Sequence, residues 1–129
     1  MDTVNGMSPS MEDYLECIYV FHLEHGVVRV KDISKHMNVR MPSVNNAIAM
    51  LKKKDYVRQE PYGYIEITEE GKTLAKKIYN RHVILHKILK DVLKITPEVA
   101  EVDACSMEHI LSDETFEKLS AYFEKDLKK

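Results

Sequence analysis

Apolar positions in the first half of the chain recur at helical spacing in three blocks. The first block predicts a helix that begins at Ser10, a residue type that caps helices, and ends near His25 before Gly26. Two more helices are predicted at about Val30–Met37 and Pro42–Lys54, with a turn at 38–40 between them. A short helix, a tight turn and a second helix have the proportions of a helix-turn-helix.

Two short β-prone runs follow, at 57–60 and 64–68, on either side of a Pro-Tyr-Gly turn. The second run alternates, with Ile65 and Ile67 on one face, and this pattern predicts a β-hairpin. A hairpin directly after a helix-turn-helix is the layout of a winged helix. We therefore predict a winged helix-turn-helix DNA-binding domain over residues 1–69.

The pattern of residues 70–129 predicts a second, helical domain. Thr68 can cap a long amphipathic helix that reaches about Lys94, and further helices are predicted to begin at Thr96 and at Ser112. The expected fold class is mainly α with a small β-hairpin wing.

Net charge changes this picture only when it is divided along the chain. The 129 residues have a formal charge of −2, which argues against a nucleic-acid partner. Residues 27–81 nevertheless carry +6, between segments of −5 (1–26) and −3 (82–129). A basic block between acidic ones indicates that one part of the chain meets an anion and the others meet cations.

Several functional classes lack support in the sequence. No apolar run is long enough to span a membrane, and Met1–Ser10 has no signal-peptide pattern, so we expect a cytoplasmic protein without a membrane partner. Two cysteines are too few for a disulfide scaffold. Phosphate-binding loops and hydrolase motifs are absent from the sequence, so neither an enzyme nor a small organic substrate is expected.

The predicted reading helix and wing carry residue types that contact DNA. The N-terminal residues of the second helix of a helix-turn-helix meet base edges, and a wing meets backbone phosphates. The alternative is a solvated surface helix. The candidate DNA-binding residues are Arg40, Pro42, Ser43, Asn45, Asn46, Lys53, Arg58 and Tyr62.

A thiol, a carboxylate and an imidazole occur within five residues of the second domain, at Cys105, Glu108 and His109. Their spacings of three and four residues place them on neighbouring faces of a helix, and together they suit a first-row divalent metal. Each has a plainer alternative, such as an inert buried cysteine or a satisfied core histidine. Two further pairs can present donors to one side of a helix: His82 with His86, and Asp13 with Glu16.

Three separated motifs occur in an order and spacing that cover the chain from about Ser8 to Phe123. They are Ser8-Pro9-Ser10-Met11-Glu12-Asp13-Tyr14-Leu15-Glu16-x-Ile18-Tyr19, Arg81-His82, and Asp103-Ala104-Cys105-x-x-Glu108-His109-Ile110-Leu111-Ser112-Asp113-Glu114. In these motifs the sequence resembles the diphtheria-toxin-repressor and manganese-transport-regulator superfamily of metal-dependent transcriptional repressors. The resemblance is to the two-domain type, without the SH3-like third domain of some relatives.

The resemblance implies a homodimeric repressor that binds double-stranded operator DNA when loaded with Mn(II) or Fe(II), and that controls metal-homeostasis genes. It implies that residues 70–129 form the metal-binding and dimerisation domain. The metal ligands implied are Asp13, Glu16, His82, Cys105, Glu108 and His109, with His86 and Glu101 where relatives place ligands of a second site.

Two departures from the family pattern affect these expectations. Manganese-type relatives carry Glu where this chain has Cys105, and iron-type relatives carry Met where it has Asp13, so the site is mixed. Arg40 stands where relatives often have a Ser that caps the reading helix. The alternative function is a thiol-based redox sensor or a metal-dependent hydrolase centred on Cys105 and His109.

Overall fold

The computed structural model describes residues 7–61 and 63–128. This part of the chain divides into two compact units: the first is Ser10–Lys76, and the second comprises the chain from Lys77 onward together with the described residues before Ser10. None of the described helices is long and apolar enough to cross a membrane. The division into a DNA-binding domain of residues 1–69 and a metal-binding domain of residues 70–129 stays a prediction.

The first unit is built from three helices and a two-stranded hairpin. Helix α1 spans Pro9–His25, α2 Val30–Met37 and α3 Met41–Lys53. Helix α1 begins one residue before the predicted cap, so Ser10 lies inside the helix. A proline fits this first helical position because the missing N–H would have no partner there. The core is apolar and includes Leu15, Ile18, Ile33, Val44, Ile48 and Leu51.

The wing consists of β1, Val57–Gln59, and β2, Ile65–Ile67. The strands are antiparallel, with Val57 opposite Ile67 and Gln59 opposite Ile65. The Ile65 N–H also donates to the Val28 carbonyl at 2.8 Å, which ties the wing to the residues before α2. The alternation of the second run is confirmed, because Ile65 and Ile67 are buried and the residue between them is exposed.

Thr68 caps the next helix as the sequence predicts. Helix α4 spans Glu69–Lys87, and the Gly71 N–H donates to the Thr68 hydroxyl oxygen at 3.0 Å. The same hydroxyl donates to the Asp55 carbonyl at 2.6 Å. Glycine is required at 71 because an added Cβ would lie 2.2 Å from the Tyr56 carbonyl oxygen.

The second unit is helical, but its first helix does not continue regularly to Lys94. The α-helical geometry of α4 ends at Lys87 and a π-helical turn covers Ile88–Val92. A π turn accommodates an extra residue, and within it Ile88 is buried whereas Leu89 is half-buried. The remaining helices are α5 Pro97–Ile110, α6 Asp113–Tyr122 and α7 Glu124–Leu127.

Candidate metal centre and DNA-binding face

Helix α3 separates a buried apolar stripe from an exposed polar face. Val44, Ala47, Ile48 and Leu51 are buried in the first unit. Every described candidate for DNA binding is exposed: Arg40, Pro42, Ser43, Asn45, Asn46, Lys53 and Arg58. Tyr62 lies outside the described residues. The side-chain amides of Asn45 and Asn46 and the hydroxyl of Ser43 are therefore accessible to a ligand from solvent.

Arg40 occupies the N-cap position of α3, and its side chain makes no capping hydrogen bond. The absence of a side-chain cap agrees with the departure from the family pattern at this position. The guanidinium is exposed beside the first turn of the reading helix, where it is available to an anion.

An open groove of about 830 Å³ lies beside the reading helix in the first unit. Its lining includes Asn45 and Lys52 of α3, Arg29 and Lys31 near the start of α2, and Tyr64 of the wing. The Arg29 Nη2 donates to the Tyr64 hydroxyl at 3.2 Å, and its guanidinium lies 5.1 Å from the Tyr64 ring centre. Sequence reasoning missed Arg29, Lys31 and Tyr64 as part of this face, although both bases belong to the +6 block.

In the second unit, one face of α5 gathers three potential metal ligands. The ligand atoms of Cys105, Glu108 and His109 lie within 4.8 Å of one another. Glu108 and His109 are 1% and 4% exposed, and Cys105 is half-buried. The helical spacing places the three groups together, and packing removes most of the surrounding water.

His82 of α4 joins this group through Glu108. Its Nδ1 lies 3.2 Å from Glu108 Oε2, and His109 Nε2 lies 3.3 Å from Glu108 Oε1. Despite these distances, neither carboxylate oxygen of Glu108 receives a hydrogen bond of acceptable geometry from the described residues. A buried carboxylate whose lone pairs are unused is costly unless a cation takes them.

The donor set therefore fits a divalent transition metal. Carboxylate, thiolate and imidazole donors converge in a desolvated position, and both oxygens of Glu108 are available. Such a set suits Fe(II), Co(II), Zn(II) and Mn(II) to different degrees, since sulfur favours the softer ions.

A second cluster adjoins the first along the same two helices. Glu101 Oε1 lies 3.2 Å from His82 Nε2, and Glu101 Oε2 lies 3.5 Å from His86 Nε2. The rings of His82 and His86 are stacked with their centres 6.0 Å apart. His82 thus has Glu108 at one ring nitrogen and Glu101 at the other, which connects the two clusters.

Asp13 and Glu16 belong to α1 of the first unit, one helical turn apart, and both are half-buried. Cys17, next to Glu16, is buried, and its chemistry differs from that of Cys105. Burial raises the pKa of the Cys17 thiol from 9.0 to about 12, and the charges of Glu16 and Asp13 add to the shift. Cys17 is therefore a neutral core thiol at physiological pH.

Two family models match the chain, one over each part of it. The N-terminal DNA-binding domain of iron-dependent repressors matches residues 6–65. The metal-binding and dimerisation domain of iron-dependent repressors matches residues 68–126. The chain is 38% identical over 120 residues to an uncharacterised HTH-type transcriptional regulator of Methanocaldococcus jannaschii, covering 92% of this chain and 96% of that protein. It is 34% identical over 122 residues to the transcriptional regulator MntR of Bacillus subtilis, covering 92% of this chain and 85% of MntR.

Solved structures agree with these relationships. The manganese regulator SloR superposes with a TM-score of 0.79 at 28% identity, over 92% of this chain and 55% of SloR. IdeR of T. acidophilum superposes with a TM-score of 0.75 at 26% identity, over 88% of this chain and 53% of IdeR. The chain thus spans about half the length of these two structures. The family models and relatives together show that the chain belongs to the iron-dependent repressor family of metal-dependent, DNA-binding transcriptional regulators.

Proposed function

We propose that the protein is a repressor of metal-homeostasis genes that binds operator DNA as a homodimer when loaded with Mn(II) or Fe(II). The observation that carries this proposal is the buried Glu108 carboxylate, whose two oxygens lack hydrogen bonds among the described residues while His82 and His109 stand 3.2 and 3.3 Å away. The same chain carries a winged helix with an exposed polar reading face. A metal-dependent regulator requires both a site that binds the metal and a surface that binds DNA.

The proposed primary ligands come from both units. Cys105, Glu108, His109 and His82 supply the donors of the second unit, and we propose that Asp13 and Glu16 of α1 complete the set. His86 and Glu101 are proposed as ligands of a second site, supported by their distances to one another and to His82. When bound, the metal supplies positive charge that is shared by ligands of both units.

The residues of this set suggest a site that is intermediate in metal preference. The carboxylates of Asp13, Glu16 and Glu108 are hard donors that suit Mn(II), whereas the Cys105 thiolate favours Fe(II) and later metals. Metal binding requires a deprotonated thiol and neutral imidazoles. We therefore expect the metal affinity to decrease as the pH is lowered.

Dimerisation is supported by apolar side chains that the second unit leaves exposed. On α5, Val99, Val102 and Ile110 are 49%, 65% and 59% exposed, and Tyr122 of α6 is 82% exposed. Large exposed apolar residues at helical spacing are typical of a protein interface. A second copy is the occupant that the dimerisation-domain match favours.

The proposed DNA-binding residues divide by role. Asn45 and Asn46 present amides that can pair with adenine. The Ser43 hydroxyl can donate a hydrogen bond to a base edge or accept one from it. We propose phosphate contacts for four exposed bases: Arg40, Lys53, Arg58 and the groove residue Arg29. In a dimer, two such helices must lie about one DNA turn apart, ~34 Å, to occupy successive major grooves. Ligation by residues of both units restricts the orientation of each reading helix before DNA arrives, which lowers the entropic cost of binding.

A metal-dependent selection tests this proposal. The full chain, saturated with Mn(II), is used to select duplexes from a random DNA library, and affinity for the enriched duplex is then measured by fluorescence anisotropy with and without a chelator. We expect at least tenfold tighter binding with metal. His109→Ala should lose the metal response, whereas the matched variant His25→Ala, at an exposed histidine of α1, should keep it.

Three results would contradict the proposal in different ways. Equal binding before and after chelation indicates a constitutive DNA-binding protein with a vestigial site. Release of DNA by peroxide at constant metal indicates the thiol redox sensor centred on Cys105. Hydrolysis of an ester or phosphoester substrate by the metal-loaded protein favours the hydrolase.

A further inference from the structure

Arg81 is buried in the second unit, with 2% of its surface exposed, although it carries a permanent charge. Its Nη2 donates to the carbonyl oxygens of Leu111 and Ser112, the latter at 3.3 Å. Its Nη1 lies 3.9 Å from Asp113 Oδ1. The guanidinium also stands over the Phe116 ring, 5.0 Å from the ring centre. One side chain of α4 therefore contacts four residues of the corner between α5 and α6.

This corner is the C-terminal end of α5. Leu111 is the C-cap residue of α5 and follows His109 by two positions. The carbonyls at a helix C-terminus lack intrahelical partners and carry partial negative charge, so the buried guanidinium satisfies the Leu111 carbonyl in both respects. The Ser112 carbonyl also accepts the Phe116 N–H at 3.0 Å, at the start of α6. Arg81 acts as a charged cap that α4 supplies to α5.

The position of this cap relates it to the metal centre. Arg81 is the neighbour in sequence of His82, and the corner that it holds adjoins Glu108 and His109. The distance of 3.2 Å between His82 Nδ1 and Glu108 Oε2 depends on the axial and rotational placement of α5 against α4. The contacts of Arg81 with this corner are buried and directional, so they can fix that placement.

We propose that Arg81 is a positioning residue of the metal centre, which it serves by holding the Glu108–His109 end of α5 in register with His82. This inference rests on the proposed metal-binding function. Arg81 contacts neither metal nor DNA in this role. Lysine is a partial substitute, because its ammonium can donate to both carbonyls but offers no second nitrogen to face Asp113 and no planar group to stack on Phe116.

Cobalt(II) titration of the full chain tests the role. Affinity is measured by competition with a chromogenic chelator, and the d–d absorption bands report coordination geometry. Loss of an outer-sphere group commonly costs 10–100-fold in metal affinity. We therefore expect Arg81→Met to weaken cobalt binding about 10–100-fold with altered d–d bands, and Arg81→Lys to recover part of the loss. The matched control is Lys77→Met, which removes only the more exposed pair between Lys77 and Asp113 and should change affinity less than about twofold.

A purely structural role predicts a different result. The metal-free Arg81→Met protein would then melt at a lower temperature while its cobalt affinity and d–d bands match the wild type, and this outcome overturns the proposal. If Arg81→Met does not fold, as judged by circular dichroism, Arg81→Lys and Phe116→Leu decide. Intermediate losses of affinity support the role, and wild-type affinity in both overturns it. A wild-type chain that fails to bind cobalt contradicts the proposed function itself.

Discussion

The two units use polar side chains in opposite ways. In the first unit, Asn45 and Asn46 are exposed on α3, and Arg40 is exposed at its N-cap. In the second unit, Glu108 and His109 are almost completely buried, at 1% and 4% exposure. The difference reflects the size of the proposed ligands. A DNA duplex binds to an outer surface, whereas a bare cation binds tightly only where its donors are already withdrawn from water.

The two units also differ in where their charged side chains lie. Three bases of the 27–81 block, Arg29, Lys31 and Lys52, line the open groove of the first unit. The candidate ligands of the second unit are concentrated on facing sides of α4 and α5.

The largest effect is expected from Glu108→Gln, which should remove metal binding by the second unit and leave nonspecific DNA binding by the first unit. Glu108→Gln keeps the shape of the side chain but removes the charge and one acceptor oxygen that a cation needs. We expect metal affinity to fall about 100-fold or more. Metal-dependent binding to a selected operator should disappear while salt-sensitive, nonspecific DNA binding persists. Isothermal titration with Mn(II), followed by anisotropy, measures both, with Glu117→Gln on an exposed position of α6 as the control.

The converse variant lies on the reading face. Asn45→Ala removes an amide that can pair with a base, and a lost bidentate contact is worth about 1–3 kcal/mol. Specific operator affinity should fall roughly 5- to 150-fold with metal affinity unchanged. A change at Met50, exposed near the end of the same helix, is the matched control. A loss of metal binding in Asn45→Ala would show that the two functions are not separable.

A smaller effect is expected from the wing. Arg58 is exposed on β1, where a phosphate contact is expected. Arg58→Gln should weaken binding to all DNA sequences alike and reduce the slope of log affinity against log salt by about 0.9. The slope is measured by fluorescence anisotropy at salt concentrations from about 50 to 200 mM, a range over which phosphate contacts change the affinity strongly. An unchanged slope would place Arg58 away from the DNA backbone.

The smallest effect concerns Cys17, which belongs to the core of the first unit. Its pKa is raised from 9.0 to about 12, so the unfolded chain releases this proton at lower pH than the folded chain. The stabilisation is complete below pH 9 and is lost as pH rises from about 9 toward 12. Melting temperatures measured from pH 8 to 10.5 should fall more steeply for the wild type than for Cys17→Ala. Parallel curves would show that the thiol does not contribute.

Most elements were predictable because their signals are local. The bounds Val30–Met37 of α2 are those predicted, and the hairpin follows from two β-prone runs, the second of them alternating, around a Pro-Tyr-Gly turn. The π-helical turn was not predictable, because the apolar residues of 85–92 satisfy an α period as well as a shifted one. Packing against the rest of the unit selects between these registers.

The candidate site shows the same limit at single residues. The contact of Arg29 with Tyr64 joins positions 35 residues apart, so no local sequence pattern predicts it. Arg81 was visible only as a member of a motif beside His82. Its hydrogen bonds to the end of α5 span 30 and 31 residues, so they depend on how the helices pack.

The sequence by itself determined which donors share one helix. Cys105, Glu108 and His109 are neighbours because a helix brings residues three and four apart onto adjacent faces. Only the tertiary structure decided that His82 of α4 stands between Glu101 and Glu108 of α5, and that Glu108 is buried with its oxygens unbonded among the described residues. Spacing encodes proximity along one helix, whereas burial and contacts between helices arise from packing, which no single segment contains.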